Sequence, residues 1–324
     1  MKKVLMFTLI MCVFSVAAFS QIQGAIQTKI ANSFVTEEVR KAALTAAEHN
    51  KLTALKKVVE KQKQAAYVSD ERGMTPLMFA SKNGNQDMVA YLLDKGAEIN
   101  TEYENPNINY PKVNALFFAL NNPSLTSFML QKKADVTRSV MMKAIDSHQP
   151  TTLMLIQKIG KKGVRNENNK ETGNSYLWHA ARVGNVNAVT KLLQLGATFD
   201  PYKDLVHSPM HCAVDDAYKR FSSQGVRGTV LEAFANHKDL NVSQANHLLE
   251  GIIATAAVYY PSETASAFAL EATKMIVNRF YASHPKEEQQ QLLRWKDSAG
   301  YTAQQFAEEN EFTQVAAYLK SAQK

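Results

Sequence analysis

Cysteine is scarce in this sequence of 324 residues, and the scarcity limits how the fold can be stabilised. The chain has two cysteines, Cys12 and Cys212. Cys12 lies in an apolar segment at the start of the chain, so one thiol remains once that segment is set aside. A single thiol cannot form an internal disulfide. We therefore expect the fold to depend on an apolar core, for which a hydrophobic content of 45% is sufficient.

Long apolar runs are also lacking, and the longest one lies at the start of the sequence. It follows two lysines and extends over the 16 positions Val4–Phe19. A membrane span needs about 20 apolar residues, so this run is short for one. With the small residues Ala18 and Ser20 at its end, it is typical of a bacterial secretory signal peptide. We predict that residues 1–20 are removed before Gln21 and that the mature protein is periplasmic or secreted, without stable membrane insertion; an uncleaved anchor is the alternative.

Strong charge and catalytic motifs are missing as well. The formal net charge of +7 becomes +5 without residues 1–20, which contain two lysines and no acid. This small excess is spread along the chain, so it gives little support for a nucleic-acid partner. The sequence has no Gly-x-Ser-x-Gly, no glycine-rich phosphate loop and no paired histidines flanking a glutamate. We therefore predict no enzymatic activity and no cofactor.

The sequence does contain a clear internal repeat. The segment GMTPLMFASKNGNQDMVAYLLDKGAEIN begins at Gly73, and GNSYLWHAARVGNVNAVTKLLQLGATFD begins at Gly173, an offset of 100 residues. The positions that are identical in the second copy include Leu77, Ala80, Gly84, Asn85, Val89, Leu92, Leu93, Gly96 and Ala97. Such self-similarity indicates a repeat architecture.

The residues of the first copy explain how such a unit folds. Gly73 lies at a turn where a positive backbone angle is often needed. Thr75 can cap a helix that begins at Pro76, and Gly96 can end a second helix. The apolar positions between them form stripes at helical spacing, which each unit can bury only against its neighbours. Several stacked units are therefore needed for stability.

These segments resemble the ankyrin repeat, a unit of about 33 residues with a turn, a Thr-Pro-Leu-His motif and two antiparallel helices. Weaker copies begin at Asn114 and Ser139, and SPMHCAV at Ser208 opens a further one. The resemblance implies an all-α ankyrin-repeat solenoid of stacked antiparallel helix pairs with turn or hairpin tips.

The pattern also predicts how the chain is divided. We expect a lead-in at 21–40 and one ankyrin-repeat domain at 41–324. Within that domain we predict an N-terminal cap at about 41–69, repeats from about 70, 114, 139, 172 and 205, a degenerate helical pair at 243–284 and a C-terminal cap at 297–324. The degenerate pair consists of two long helices, Ser243–Tyr259 and Glu263–Tyr281, separated at Pro261.

Possible chemistry concentrates near the fifth repeat, where packing is the better explanation. His207, His211, Asp215 and Asp216 are the densest group of possible metal ligands. The resemblance assigns His211 to the turn framework, and the ligand spacing matches no strong metal motif. We predict no metal site. Cys212 is expected to be a buried, inert thiol, since burial without a cationic neighbour raises a thiol pKa.

The resemblance implies partner binding at the turn tips and in the groove that follows the first helix of each repeat. Two tyrosines lie in the long loop 101–113, and tyrosine is a frequent interface anchor. The mixed charges of the groove favour a folded protein partner over nucleic acid. The predicted partner-binding residues are Arg72, Met74, Lys82, Tyr103, Tyr110, Asn121, Asn174 and Arg182.

These observations lead to one main hypothesis and two alternatives. The main hypothesis is a non-enzymatic protein-binding module of the bacterial envelope that acts as an inhibitor, an immunity factor or a stabilising partner of another exported protein. One alternative is a redox or enzyme-accessory factor that uses Cys212. The other is a structural protein that binds cell-wall polymer.

Overall fold

The computed structural model describes residues 16–107, 109–165, 175–198 and 208–323. The chain forms two compact units, Met1–Lys158 and Ile159–Lys324. Almost all regular structure in the described ranges is helical. This result confirms the predicted all-α class.

The first unit is a stack of short helix pairs. Its helices are α1 (Val16–Phe34), α2 (Glu37–Glu48), α3 (Leu52–Lys61), α4 (Pro76–Lys82), α5 (Gln86–Asp94), α6 (Ala115–Phe118), α7 (Pro123–Gln131), α8 (Arg138–Asp146) and α9 (Thr152–Arg165). The first helix of each pair packs on the first helix of the next, in the order α2, α4, α6 and α8. Helix α9 extends past Lys158, where the first unit ends, and contains the non-helical residue Gly160. Helix α1 starts inside the predicted signal peptide and was not predicted as a helix.

The predicted helix boundaries of the clear repeat are confirmed. The Thr75 hydroxyl accepts a hydrogen bond from the Met78 backbone N–H at 3.3 Å, and Pro76 is the first helical residue. Gly96 has a φ of +93°, and its N–H donates to the Leu93 carbonyl at 3.0 Å. A β-branched side chain would be strained at that angle.

A two-stranded antiparallel hairpin interrupts the helices of the first unit. Strand β1 (Tyr103–Glu104) pairs with β2 (Lys112–Val113), with Tyr103 opposite Val113 and Glu104 opposite Lys112. Tyr103 and Val113 are buried, whereas Glu104 and Lys112 are exposed. The long loop predicted at 101–113 therefore contains a strand pair with one inward face.

The second unit repeats the stacking with longer helices. Its helices are α10 (Tyr176–Arg182), α11 (Val186–Gln194), α12 (Pro209–Gln224), α13 (Val230–Ala235), α14 (Val242–Val258), α15 (Glu263–Ser283), α16 (Lys286–Arg294), α17 (Ala303–Glu309) and α18 (Thr313–Ala322). The first helices of the pairs pack on one another in the order α10, α12, α14 and α17. The second helices pack in the same way, in the order α11, α13, α15 and α18. The two long helices predicted on either side of Pro261 are confirmed as α14 and α15.

Across the described ranges, none of the helices is both long enough and apolar enough to cross a bilayer. Residues 1–15 of the predicted signal peptide lie outside the described part of the chain, so its cleavage stays a prediction.

Candidate functional site

The first unit exposes three of the predicted partner-binding residues. Arg72 lies at a turn tip, where its backbone N–H donates to Asp70 Oδ1 at 2.9 Å and its side chain is exposed. Lys82, the last residue of α4, and Asn121, in the turn between α6 and α7, are also exposed. These positions are available to a partner, as the resemblance implied.

Three other predicted residues of this unit are buried in the protein's own core. Met74, Tyr103 and Tyr110 keep 8%, 7% and 8% of their surface exposed. The Tyr110 hydroxyl donates to Asp146 Oδ2 at 3.0 Å, and its ring centroid lies 5.6 Å from that of Phe117. The expectation that these side chains face a partner is corrected: Tyr103 and Tyr110 of the hairpin segment pack against the helices, and Met74 is buried in the turn before α4.

The polar residues that end the first helices also connect neighbouring repeats. The Asn83 amide donates to the carbonyls of Ala47 and Glu48 at 2.9 and 3.0 Å, and the Asn85 amide donates to Asn50 Oδ1 at 2.6 Å. Part of the polar groove in the first unit therefore stabilises the stack itself.

In the second unit, one predicted site residue is described and the other is not. Arg182 is exposed at the end of α10, and its guanidinium lies 5.2 Å from the ring centroid of Trp178. Such cation–π contact fixes the position of a long side chain. Asn174 lies outside the described residues, and its predicted role stays a prediction.

A cavity of about 660 Å³ lies among the first helices of the second unit, and sequence reasoning missed it. Its walls come from α12, from α14, from α17 and from the segment that precedes α17. The lining residues are Ser208, Met210, His211, Val214, Ser243, His247, Glu250, Gly251, Ala254, Trp295, Lys296, Asp297, Ser298 and Phe306. Its volume is within the range of pockets that bind ligands.

Two ionisable groups of the cavity have shifted pKa values. Burial, and then the negative charge of Asp297, raise the pKa of Glu250 to about 7, although the Asn246 amide hydrogen-bonds to this carboxyl group and opposes the shift. Burial lowers the pKa of His247. The His247 Nε2 atom is buried and has no hydrogen-bond partner among the described residues. Unpaired polar groups of this kind are frequent at functional sites.

The possible metal ligands around His211 do not converge on one point in the described part of the chain. His211 is exposed and faces the cavity, while Asp216 accepts a hydrogen bond from Arg220 Nε at 2.7 Å. Within the described ranges, which leave out His207, no three His, Cys, Asp or Glu side chains are grouped to hold a metal ion.

Cys212 is a buried free thiol on α12, as predicted. Burial is the main cause that raises its pKa to about 11, and the Asp215 carboxylate adds to it, while Arg182 and Lys219 act in the opposite direction. The thiolate is the reactive form of cysteine, so this environment disfavours redox chemistry.

We expect iodoacetamide to label Cys212 at least about 100-fold more slowly in the native protein than after denaturation, because few thiolates exist at neutral pH and access is limited. Labelling followed by intact-mass analysis measures the rate. The control is Ser222→Cys in a Cys212→Ser background, which places the single thiol at an exposed position of the same helix. Native Cys212 reacting at the rate of this control would contradict the buried-thiol interpretation.

The structure combines stacked helix pairs, hairpin and turn tips, and exposed polar residues along a groove. Together these features define a solenoid repeat protein of the protein-binding class. Residues 16–103 match the family model of ankyrin repeats (three copies). This segment is therefore identified as ankyrin repeats, and the helix pairs of the chain have the ankyrin-repeat fold. The match begins within α1, a segment that the sequence pattern placed before the repeats. Ankyrin repeats are generally non-catalytic modules for protein–protein interaction.

Solved structures also include similar chains. The human ASB11 ankyrin repeat domain is 17% identical, with 86% of this chain and 96% of that chain covered and a TM-score of 0.44. A chain from the complex of the predatory endopeptidase Bd0816 of Bdellovibrio bacteriovorus with immunity protein Bd3460 is 26% identical, with 58% and 96% covered and a TM-score of 0.44.

Proposed function

We propose that this ankyrin-repeat protein is a non-enzymatic binding partner of another exported protein in the bacterial envelope. The observation that carries the proposal is the cavity of the second unit, which lies among the first helices and beside Trp295, 42% of whose surface is exposed. Tryptophan is enriched among the energetic centres of protein interfaces, and here it borders a cavity.

The other exposed residues support a protein partner of mixed charge. Arg72 and Lys82 of the first unit are cationic, while the second unit has the cationic Arg182 and the partly exposed, acidic Asp215. Nucleic acid would favour a surface of one sign. Both signs are therefore expected on the partner's contact surface.

The envelope location rests on the predicted signal peptide at residues 1–20. An exported scaffold without a catalytic motif is suited to hold an enzyme of the same compartment. We propose that the partner is such an enzyme and that this protein acts on it as an inhibitor, an immunity factor or a stabilising subunit. The choice of an enzyme as the partner follows by analogy from the functions that this fold commonly serves.

The test begins with a pulldown from envelope extract to identify the partner, followed by affinity measurements. We expect Trp295→Ala and Arg182→Ala each to weaken binding by about 10-fold or more, because truncating an interface anchor typically costs at least ~1–2 kcal/mol. Arg72→Ala is the matched control at an exposed tip, and it should mainly change the association rate and the salt dependence. Circular dichroism of each variant checks that the fold is intact.

Two results would contradict the proposal. One is unchanged affinity in both Trp295→Ala and Arg182→Ala with the partner in hand. The other is turnover of a substrate by the purified protein alone. Salt-sensitive cosedimentation with purified cell wall, in the absence of a protein partner, would favour a structural role instead.

A further inference from the structure

The cavity of the second unit contains two carboxyl groups that face a shared space. Glu250 projects from α14, and Asp297 lies in the segment before α17. Burial is the main cause that raises the pKa of Glu250, and the charge of Asp297 adds to it. Asp297 Oδ1 accepts hydrogen bonds from the backbone N–H groups of Ala299 and Tyr301 at 2.9 and 2.8 Å, so this carboxylate is held in place. Like charges at such a site favour a bound cation.

His247 adds a hydrogen-bonding group of a compatible kind. Its Nε2 atom is buried, has no partner among the described residues and belongs to a side chain that lines the cavity. Since burial lowers its pKa, the imidazole is neutral at pH 7. A neutral imidazole can accept a hydrogen bond through its unprotonated nitrogen. It therefore tolerates a cationic donor and would not repel it.

The remaining walls of the cavity suit the hydrocarbon part of a long side chain. Met210 and Val214 from α12, Ala254 from α14 and Phe306 from α17 present hydrocarbon surface, and the Trp295 ring lies beside them. Long cationic side chains bury their methylene groups on apolar surface and stack on aromatic rings. A cavity lined by the Glu250 and Asp297 carboxyl groups and by apolar side chains matches such a side chain.

Two positive groups also line the cavity. Lys296 and His211 are both exposed to water, so solvent and salt screen their charges. Glu250 and Asp297 are only partly exposed, whereas the two cationic groups are more fully solvated. An anionic ligand would have to approach Glu250 and Asp297.

We propose that the cavity receives an arginine or lysine side chain of the protein partner, whose cationic group binds Glu250 and Asp297. This proposal rests on the proposed function, because it assigns the contact that the partner makes with the second unit. It predicts that the partner presents a basic residue at the centre of the interface.

The direct test uses acetyl-arginine methylamide as the probe and its citrulline analogue as an uncharged control of nearly the same shape. The protein has two tryptophans, Trp178 and Trp295, and the Trp295→Phe variant assigns their indole N–H signals in nitrogen-labelled protein. We expect the arginine probe to shift the Trp295 signal with a dissociation constant on the order of millimolar. The citrulline analogue should bind at least about five-fold more weakly, since it lacks charge-assisted hydrogen bonds.

Variants locate the effect in the cavity. Glu250→Gln and Asp297→Asn should each weaken the arginine probe by at least about five-fold, whereas Glu263→Gln, which removes an exposed charge elsewhere in this unit, should not. Binding should also weaken from about pH 8 to about pH 6 in the wild type, as Glu250 takes up a proton. His247, His211, Asp297 and Lys296 also line the cavity, so the contribution of Glu250 is measured with its own variant. Glu250→Gln should reduce this pH dependence.

Equal binding of the two probes, or a Trp295 signal that neither probe moves, would overturn the cation site. A partner that loses affinity for Trp295→Ala but binds Glu250→Gln normally would remove this inference and leave the proposed function standing. Conversely, Glu250-dependent binding of the arginine probe without any protein partner in the envelope would support the cation site and contradict the proposed function.

Discussion

Replacing Phe268 with alanine is expected to lower the free energy of unfolding of the second unit by about 3–5 kcal/mol, the usual cost of deleting a fully buried phenylalanine. Phe268 on α15 has no exposed surface. Its ring centroid lies 5.2 Å from that of Tyr218 and 5.5 Å from that of Phe221, both in edge-on contact. The lost ring would leave a cavity between α12 and α15.

Tryptophan fluorescence during denaturant unfolding measures this effect, because both tryptophans, Trp178 and Trp295, belong to the second unit. Val258→Ala is the matched control, since Val258 is 75% exposed on the neighbouring helix and its truncation should change stability by less than about 0.5 kcal/mol. A loss below about 1 kcal/mol for Phe268→Ala would show that the aromatic cluster does not hold these helices together.

The fold could be predicted from the sequence wherever local chemistry and repeat spacing coincide. Thr75, Pro76 and Gly96 each specify a helix boundary by a local rule, and the structure follows them. Helix α16 (Lys286–Arg294) was not assigned, because its sequence is dominated by charged and amide side chains and buries only two leucines. Helix α1 was missed since its first residues lie inside the segment interpreted as a signal peptide.

The site was harder to predict, because its parts are distant in sequence. Tyr103 and Tyr110 were interpreted as surface anchors from residue type alone, whereas strand pairing turns Tyr103 inwards and contacts with Phe117 and Asp146 bury Tyr110. The cavity combines residues from Ser208 to Phe306, and only the stacking of three first helices brings them together. One local signal was present: Glu250 lies one helical turn after the buried Asn246 in a helix that is otherwise largely apolar.

Glu250 is expected to make the second unit less stable as the pH rises. Its pKa is about 7 in the folded protein, against an ordinary value of 4.5. The folded state therefore holds this proton over a pH range in which the unfolded chain has released it. Stability from the protonated carboxyl is fully present below about pH 4.5 and is lost as the pH rises towards 7. The full change is on the order of 2 kcal/mol, after allowance for partial solvent exposure.

The measurement compares the wild type with Glu250→Gln at several pH values, using tryptophan fluorescence in denaturant. Other carboxyl groups titrate in both proteins, so the informative quantity is the difference between their free energies of unfolding. We expect Glu250→Gln to gain stability relative to the wild type between about pH 4.5 and 7.5, because glutamine cannot ionise. Glu263→Gln should show no such trend, since Glu263 is exposed. A difference that stays constant with pH would mean that the Glu250 carboxyl ionises in the folded protein as easily as in water. The cavity would then lack the low-polarity surroundings that favour a long cationic side chain.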